Sequence, residues 1–317
     1  MPMKSVVIAG GGISGVYLAH KIVTALDDVK VYLVDPKPYH EFVMGIPMAF
    51  AGLVKFDDLR MSLDSLKRVE HVRDEVVDVR ESGLKLASGE VIRGDYNVLA
   101  VGAFKIGDDF YSVEGAETFY RAAETAPAVR FIIDELYPVM GFGEIAMAVK
   151  SLWPQKEVSI HLVYVHPDYK WLFEAFSAQM AKLGISLSEE PPPTEDKAEI
   201  HVVVPELNPH PLTKGLKVGP LFETQYDRTY LIGDTSLMKL GLPPLGWGAI
   251  WQASVLAQAI VSDIKEGAAE VEVDEWTYMK DPDKFKQYLT YRMTKGVPLV
   301  HLRGLYDLWR TKIFGSL

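Results

Sequence analysis

Residues 10–15 read Gly-Gly-Gly-Ile-Ser-Gly, set directly between an apolar run from Ser5 to Ala9 and a helical pattern from Val16 to Leu26. Strand, glycine turn and helix in immediate succession leave few folds open. The strand is short and apolar throughout, as in a parallel sheet covered on both faces, and a crossover helix is what joins parallel neighbours. Gly10 permits the tight turn, and Gly12 lets the backbone approach a pyrophosphate. Gly15 lets helix and strand pack closely, while the first N–H groups of the helix, beside Ile13 and Ser14, face the phosphates. A second strand, Lys30 to Val34, ends in Asp35, 20 residues after Gly15. From that position a carboxylate accepts hydrogen bonds from a ribose diol. A glycine turn alone also arises for structural reasons, and an acid at a strand end for solvation. All four features together predict a dinucleotide-binding unit, without choosing between NAD and FAD.

Residues 69–102 alternate apolar and polar, turn at Ser88-Gly89 and close on an apolar run ending at Gly102, which predicts a small sheet and then a buried central strand. Another buried strand, Thr229 to Ile232, stops at Gly233-Asp234. Residues 241–264, GLPPLGWGAIWQASVLAQAIVSDI, then carry the 3-and-4 apolar spacing of a helix. An aspartate ending such a strand can hold a polyol hydroxyl, and it is equally a favoured cap.

In this order the motifs resemble those of the two-dinucleotide-binding-domain flavoproteins, the pyridine nucleotide-disulfide oxidoreductase-like superfamily, along nearly the whole chain. VIAGGGISG with VDP is similar to the first FAD fingerprint, NVLAVGA to the strand usually read as ATG, and YLIGDTS to the second FAD motif. The resemblance implies an α/β fold in which a Rossmann-like FAD-binding domain, residues 1–108 and 226–282, is split around a second, degenerate Rossmann-like domain, residues 109–225. A C-terminal amphipathic helical tail, residues 283–317, follows. It implies FAD contacts at Gly10, Gly12, Ile13, Ser14, Gly15, Asp35, Pro36 and Lys37, then at Val101 and Gly102, and at Gly233 and Asp234. By the same resemblance Val76 would meet the adenine through its backbone and Asp234 would bind the ribityl chain. Leu245, Gly246 and Trp247 would open a helix aimed at the pyrimidine edge of the flavin, where a helix N-terminus stabilises the negative charge of the reduced ring.

In character the chain resembles sulfide:quinone oxidoreductases, flavocytochrome c sulfide dehydrogenases and type II NADH dehydrogenases, and it departs from them at two points. A second glycine fingerprint would fall within Val129 to Leu152. There the strand Val129 to Ile133 runs instead into a longer loop, Glu135 to Phe142, with Pro138 and only Gly141 and Gly143 before the next helix. Tight NAD(P)H binding is therefore not expected. The second departure is the absence of cysteine, which removes disulfides, thiolate nucleophiles, Cys-type zinc sites and iron–sulfur ligation. It also removes the persulfide that the sulfide enzymes form on cysteines beside the flavin, one of them in a loop matching Val139 to Gly143. Redox chemistry then rests on a bound cofactor, and no metal site is expected.

The candidates for reactive groups are Glu144 and Tyr164, with His161 and His166 beside them. Glu144 opens a helix, where the dipole alone favours a carboxylate. His161 and Tyr164 lie in the apolar strand VSIHLVYV and read equally well as core. A helix, WLFEAFSAQMAKLGISL, and an exposed connection, GISLSEEPPPTEDKAEI, follow.

A formal net charge of −10 argues against a nucleic-acid surface. The N-terminus shows no leader pattern and no stretch reaches the 18 or so apolar residues of a span, so a cytoplasmic protein is expected. From Asp283 to Leu317 the balance is locally +5, and Leu299, Leu302, Leu305, Tyr306, Trp309, Ile313 and Phe314 recur at helical spacing among Arg303, Arg310 and Lys312. Such a stripe suits either a helix lying on the inner face of an anionic membrane or one packed on its own chain or a second subunit. Asparagine is confined to Asn97 and Asn208, a scarcity of thermolabile residues that leans toward a hot environment. The function expected is a FAD-dependent oxidoreductase that passes two electrons from a donor the sequence does not name to a quinone or similar small acceptor. A soluble NAD(P)H-dependent flavin reductase, and a non-catalytic flavoprotein subunit bound to a partner, are the alternatives.

Overall fold

In a computed structural model the chain is described at residues 3–106, 110–134, 141–164, 177, 180–192, 199–242, 244–268 and 299–315. The apolar run at the start forms the strand Lys4–Ala9, whose Val6, Val7 and Ile8 are fully buried. It pairs in parallel with Val29–Val34 on one side and with Tyr96–Leu99 on the other. Val69–Val72 adds a strand beyond Val29–Val34, and Thr229–Leu231 adds one beyond Tyr96–Leu99. This five-stranded parallel sheet draws its strands from both ends of the described chain. Successive strands depart in opposite directions from Lys4–Ala9, so a crevice opens at the carboxyl ends of Lys4–Ala9 and Tyr96–Leu99.

The helix Ile13–Ala25 covers one face of the sheet and packs against the long helix Gly246–Glu266. Residues 76–92 form the expected small sheet, which is antiparallel and three-stranded: Val76–Arg80, Gly83–Leu86 and Val91–Ile92. Val69–Val72 does not belong to it. Two-residue alternation identifies a strand but not its neighbours, and this one pairs with Val29–Val34.

An antiparallel ribbon, Ala103–Ile106 with Glu206–Pro209, leads out of the first sheet and back. Between its strands lies a second parallel sheet in the order Ser186–Ser188, Glu157–Tyr164, Ala128–Asp134, Ile200–Val203. The helices Val113–Thr125 and Phe142–Leu152 accompany it. The first is capped by Ser112, whose Oγ accepts the Gly115 N–H at 3.0 Å. Phe110, Phe119 and Phe131 pack edge to face between them. The helix expected through Ser186 and Leu187 ends earlier: Gly184 takes a left-handed turn and the chain re-enters the sheet as Ser186–Ser188. The first part of the expected exposed connection is therefore a strand, and residues 193–198 lie outside the described residues.

The tail forms a helix, Leu299–Leu308, continued by a π-helical turn, Trp309–Ile313. Its apolar stripe does not face outward. Tyr306, Trp309, Ile313 and Phe314 are at most 4% exposed. Trp309 stacks on Tyr17 with centroids 5.5 Å apart, and Phe314 and Trp309 both stack on His40. The outer face carries Arg303, Asp307, Thr311 and Lys312 together with Leu308. Of the two readings of this stripe, these residues follow the packing one: their aromatic side chains find their apolar partner in the chain's own first unit. No helix among the described residues is long and apolar enough to cross a membrane.

Truncating a buried Trp to Ala costs about 3–5 kcal/mol. Trp309→Ala is therefore expected to lower the urea midpoint strongly. Leu308→Ala, at a 40% exposed position of the same helix, is expected to shift it by less than about 1 kcal/mol.

Candidate functional site

At the carboxyl ends of the central strands lies a cavity of about 820 Å³. Its floor is the glycine turn. Gly10 has φ +108°, and a Cβ there would overlap the Ala100 carbonyl, while its N–H donates to Val34 O at 2.8 Å. Gly15 does not line the cavity; a Cβ at Gly15 would overlap the Gly10 carbonyl, so its role is the close packing of helix on strand. Gly12, the N-cap of Ile13–Ala25, borders the cavity, and a Cβ built on it meets nothing within 4 Å. Backbone N–H groups and open space are thus presented together, as an anionic group at a helix N-terminus requires.

Asp35 anchors this floor. Its Oδ2 accepts the Gly11 N–H at 2.6 Å and its Oδ1 accepts the Lys37 N–H at 2.8 Å. A carboxylate has about four acceptor positions, so these bonds fix its orientation and leave capacity for a diol. Ile13, Ser14, Pro36 and Lys37 line the same end, with Val76 and Glu75 across from them. Behind the turn His40 is fully buried, and its Nδ1 lies 2.8 Å from the Gly11 carbonyl. Burial pushes the His40 pKa down to about 4, against the opposing pull of the Gly11 bond. The neutral ring therefore donates from Nδ1, and Nε2 is left buried without a partner among the described residues.

The far end is built by Val101, Gly102, Gly233 and Asp234. Gln252, fully buried, accepts the Gly233 N–H at 2.8 Å and donates to Ser236 Oγ at 3.0 Å. Thr235 Oγ1 donates to Gly102 O at 2.5 Å and accepts the His210 N–H at 2.9 Å. With every neighbour so paired, the Asp234 carboxylate accepts no hydrogen bond among the described residues, and burial, partly offset by the Lys105 charge, pushes its pKa up to about 6. The helix Gly246–Glu266 starts where the sequence predicts. Leu245, Gly246 and Trp247 nevertheless do not line the cavity: the Met44 thioether sits against Gly246, and it is Ala249, one turn on, that reaches the cavity wall. Trp251 is buried edge to face on Phe222 and belongs to the core.

Of the predicted reactive groups, Glu144 stands in the first turn of Phe142–Leu152; it does not line the cavity, and its charge, like that of Asp234, acts on Tyr111. Its Oε2 is buried without a partner among the described residues, and burial pushes its pKa up to about 7 against the hydrogen bond from its own backbone. Sequence reasoning missed Tyr111. Its phenol lies against Gly141, and burial first, then the charges of Glu144 and Asp234, push its pKa up. Nothing in the local pattern marks Tyr111, since the contact joins residues 30 apart through the fold. Phe104, Lys105, Ser112 and His210 also line the cavity and carried no motif. Tyr164, 47% exposed at the end of its strand, does not line it. His161 bonds Ser159 Oγ and the Glu190 carbonyl, both at 2.9 Å, beside the Arg130–Glu199 ion pair, and is part of the second sheet's internal packing. Residues 135–140 and His166 lie outside the described residues, and no metal-binding cluster occurs among the described ones.

No family model matches the chain. A sulfide-quinone reductase of Aquifex aeolicus is 30% identical over 142 residues, 42% of this chain; the match spans about a third of that relative, 32% of its length. The solved sulfide:quinone oxidoreductase of Aquifex aeolicus superposes with a TM-score of 0.64 at 16% identity, covering 92% of each chain. A NAD-dependent persulfide reductase from A. fulgidus gives 0.62 at 20% identity, covering 88% of this chain and 66% of its own. NADH:rubredoxin oxidoreductase from Clostridium acetobutylicum gives 0.60 at 16% identity, covering 86% and 77%. The chain thus has the fold of these solved oxidoreductases, the fold that its ordered motifs imply.

Proposed function

We propose that this chain is a FAD-dependent oxidoreductase that passes two electrons from a small donor to a quinone or similar acceptor. The observation that carries the reading is one cavity with an open helix N-terminus at Gly12 and, at Asp234, a partly buried carboxylate that accepts no hydrogen bond among the described residues. A dinucleotide that ends in a polyol chain and a flat ring has a diphosphate for the first and hydroxyls for the second. Gly12 and its neighbours would meet the diphosphate, Asp35 the ribose diol, Val76 the adenine, and Asp234 a ribityl hydroxyl. When bound, FAD supplies the two-electron carrier that a chain without cysteine otherwise lacks.

The residues around the ring end would supply the rest. Glu144, with a pKa near neutrality, can hold a proton at Oε2 or release it there as the charge of its surroundings changes. Val43, Phe104 and Ala249, which line the cavity, give its wall an apolar character suited to a flat ring. The quinone named for the Aquifex aeolicus relatives supports that acceptor class.

Two measurements test the reading. Asp234→Ala and Asp35→Ala are expected to weaken FAD binding about tenfold or more each, the worth of a hydrogen bond to a charged group, read from recovery of free-flavin fluorescence on dilution. After anaerobic reduction by dithionite, a soluble quinone is expected to restore the visible absorbance of the bound flavin. A chain that binds no FAD would end the proposal, and a reduced flavin inert to quinone would end its acceptor half.

Glu144 also sets a pH dependence. Its folded pKa of about 7 lies above the ordinary 4.5, so the folded chain keeps a proton that the unfolded chain releases between those values. Its stabilising contribution is complete below about pH 4.5 and is lost as pH rises through 7, on the order of 3 kcal/mol in all. In urea titrations from pH 5 to 8, Glu144→Gln is expected to gain stability relative to the parent as pH rises, whereas parallel profiles would remove the buried-acid assignment.

A further inference from the structure

The two parallel sheets meet their first crossover helices in contrasting ways. In the first, three residues separate Ala9 from Ile13, and the N-cap Gly12 faces open space in the cavity. In the second, seven residues separate Asp134 from Phe142. The N-cap is Gly141, and a Cβ built on it would overlap Cε2, Cζ and Oη of Tyr111. The phenol therefore lies directly against Gly141, the N-cap of that helix, and a helix N-terminus is where a dinucleotide's pyrophosphate must approach a Rossmann-like unit.

We propose that Tyr111 closes the second unit to nicotinamide dinucleotides, its ring standing in the place of their pyrophosphate. Two independent features agree with it. Glu144 occupies the first turn of the same helix, and its carboxylate, once ionised, opposes a diphosphate there. In sequence, the first unit follows its second strand directly with the acid Asp35, whereas Tyr164 is followed by Val165 and His166. Tyr111 is itself held from both sides: Ser112 caps the next helix, and Lys105 Nζ donates to the Tyr111 carbonyl at 2.7 Å. The donor to the flavin must then be small enough to reach the ring end without a nucleotide handle. This narrows the donor class of the function proposed above, and the binding measurement that tests it does not depend on the flavin.

The test is calorimetric titration of the FAD-loaded protein with NADH and with NADPH, repeated on Tyr111→Ala and Tyr111→Phe, with thermal melts and FAD content as controls for folding. The parent and Tyr111→Phe are expected to show no saturable binding up to millimolar ligand, because the ring and not the hydroxyl fills the turn. Tyr111→Ala is expected to bind at least one of the two about tenfold or more tightly than the parent. Micromolar NADH binding by the parent would overturn the proposal, as would a folded Tyr111→Ala with no gain. Should Tyr111→Ala not fold, Tyr111→Ser is read by the same criterion, and the parent titration decides by itself. Loss of FAD from the protein would count against the flavin reading and leave this one to stand or fall on the calorimetry.

Discussion

The pairing of Lys4–Ala9 with strands from distant parts of the chain is the constraint on which the cavity depends. Ala100 N–H donates to Ala9 O at 2.7 Å, and Ile232 N–H to Leu99 O at 2.9 Å, so three chain segments end their strands side by side. Each then turns away through a glycine. Because neighbouring strands leave in opposite directions, the ends cannot close over one another, and the space between them is fixed by backbone geometry. Side chains only refine it: Asp35 locks the turn from one side, and Gln252 and Thr235 lock the Gly102 and Gly233 ends from the other.

The two ends of the cavity are electrically different. Near Gly12 the helix terminus offers unpaired donors and positive potential. Near Asp234 there are two carboxyls and a phenol, Asp234, Glu144 and Tyr111, each partly buried, with pKa values all displaced upward by burial. One end is built to hold negative charge and the other to resist it or to carry protons. Such a division suits a long ligand whose anionic and reactive parts lie far apart.

Much of this was legible in the chain. Gly10, Gly12, Gly15 and Asp35 announce their turn because the backbone there tolerates so few residue types, and Gly233-Asp234 announces the other end for the same reason. Leu245 to Trp247 shows where that logic stops. The helix start was readable, but its distance from the cavity was set by Met44, on a segment with no periodic signal. Tyr111 and the tail were unreadable for a related cause. An apolar aromatic stripe says that it will be buried and not against what, and Tyr306, Trp309 and Phe314 found His40, Phe42 and Tyr17. Each of these depends on a contact between residues far apart in sequence.

His40 links two things that the chain order separates. It bonds the carbonyl of Gly11 and is covered by Trp309 and Phe314, almost 300 residues away from the turn it supports. During synthesis the glycine turn and His40 emerge first, but the strand Thr229–Leu231 and the covering rings of Trp309 and Phe314 arrive only after the whole second sheet. Contacts of such long sequence separation form slowly, and the partly built unit exposes apolar surface meanwhile. The second unit can therefore reach its native packing while the first still waits for its last strand and its cover, which makes the order of assembly inside-out relative to the order of translation.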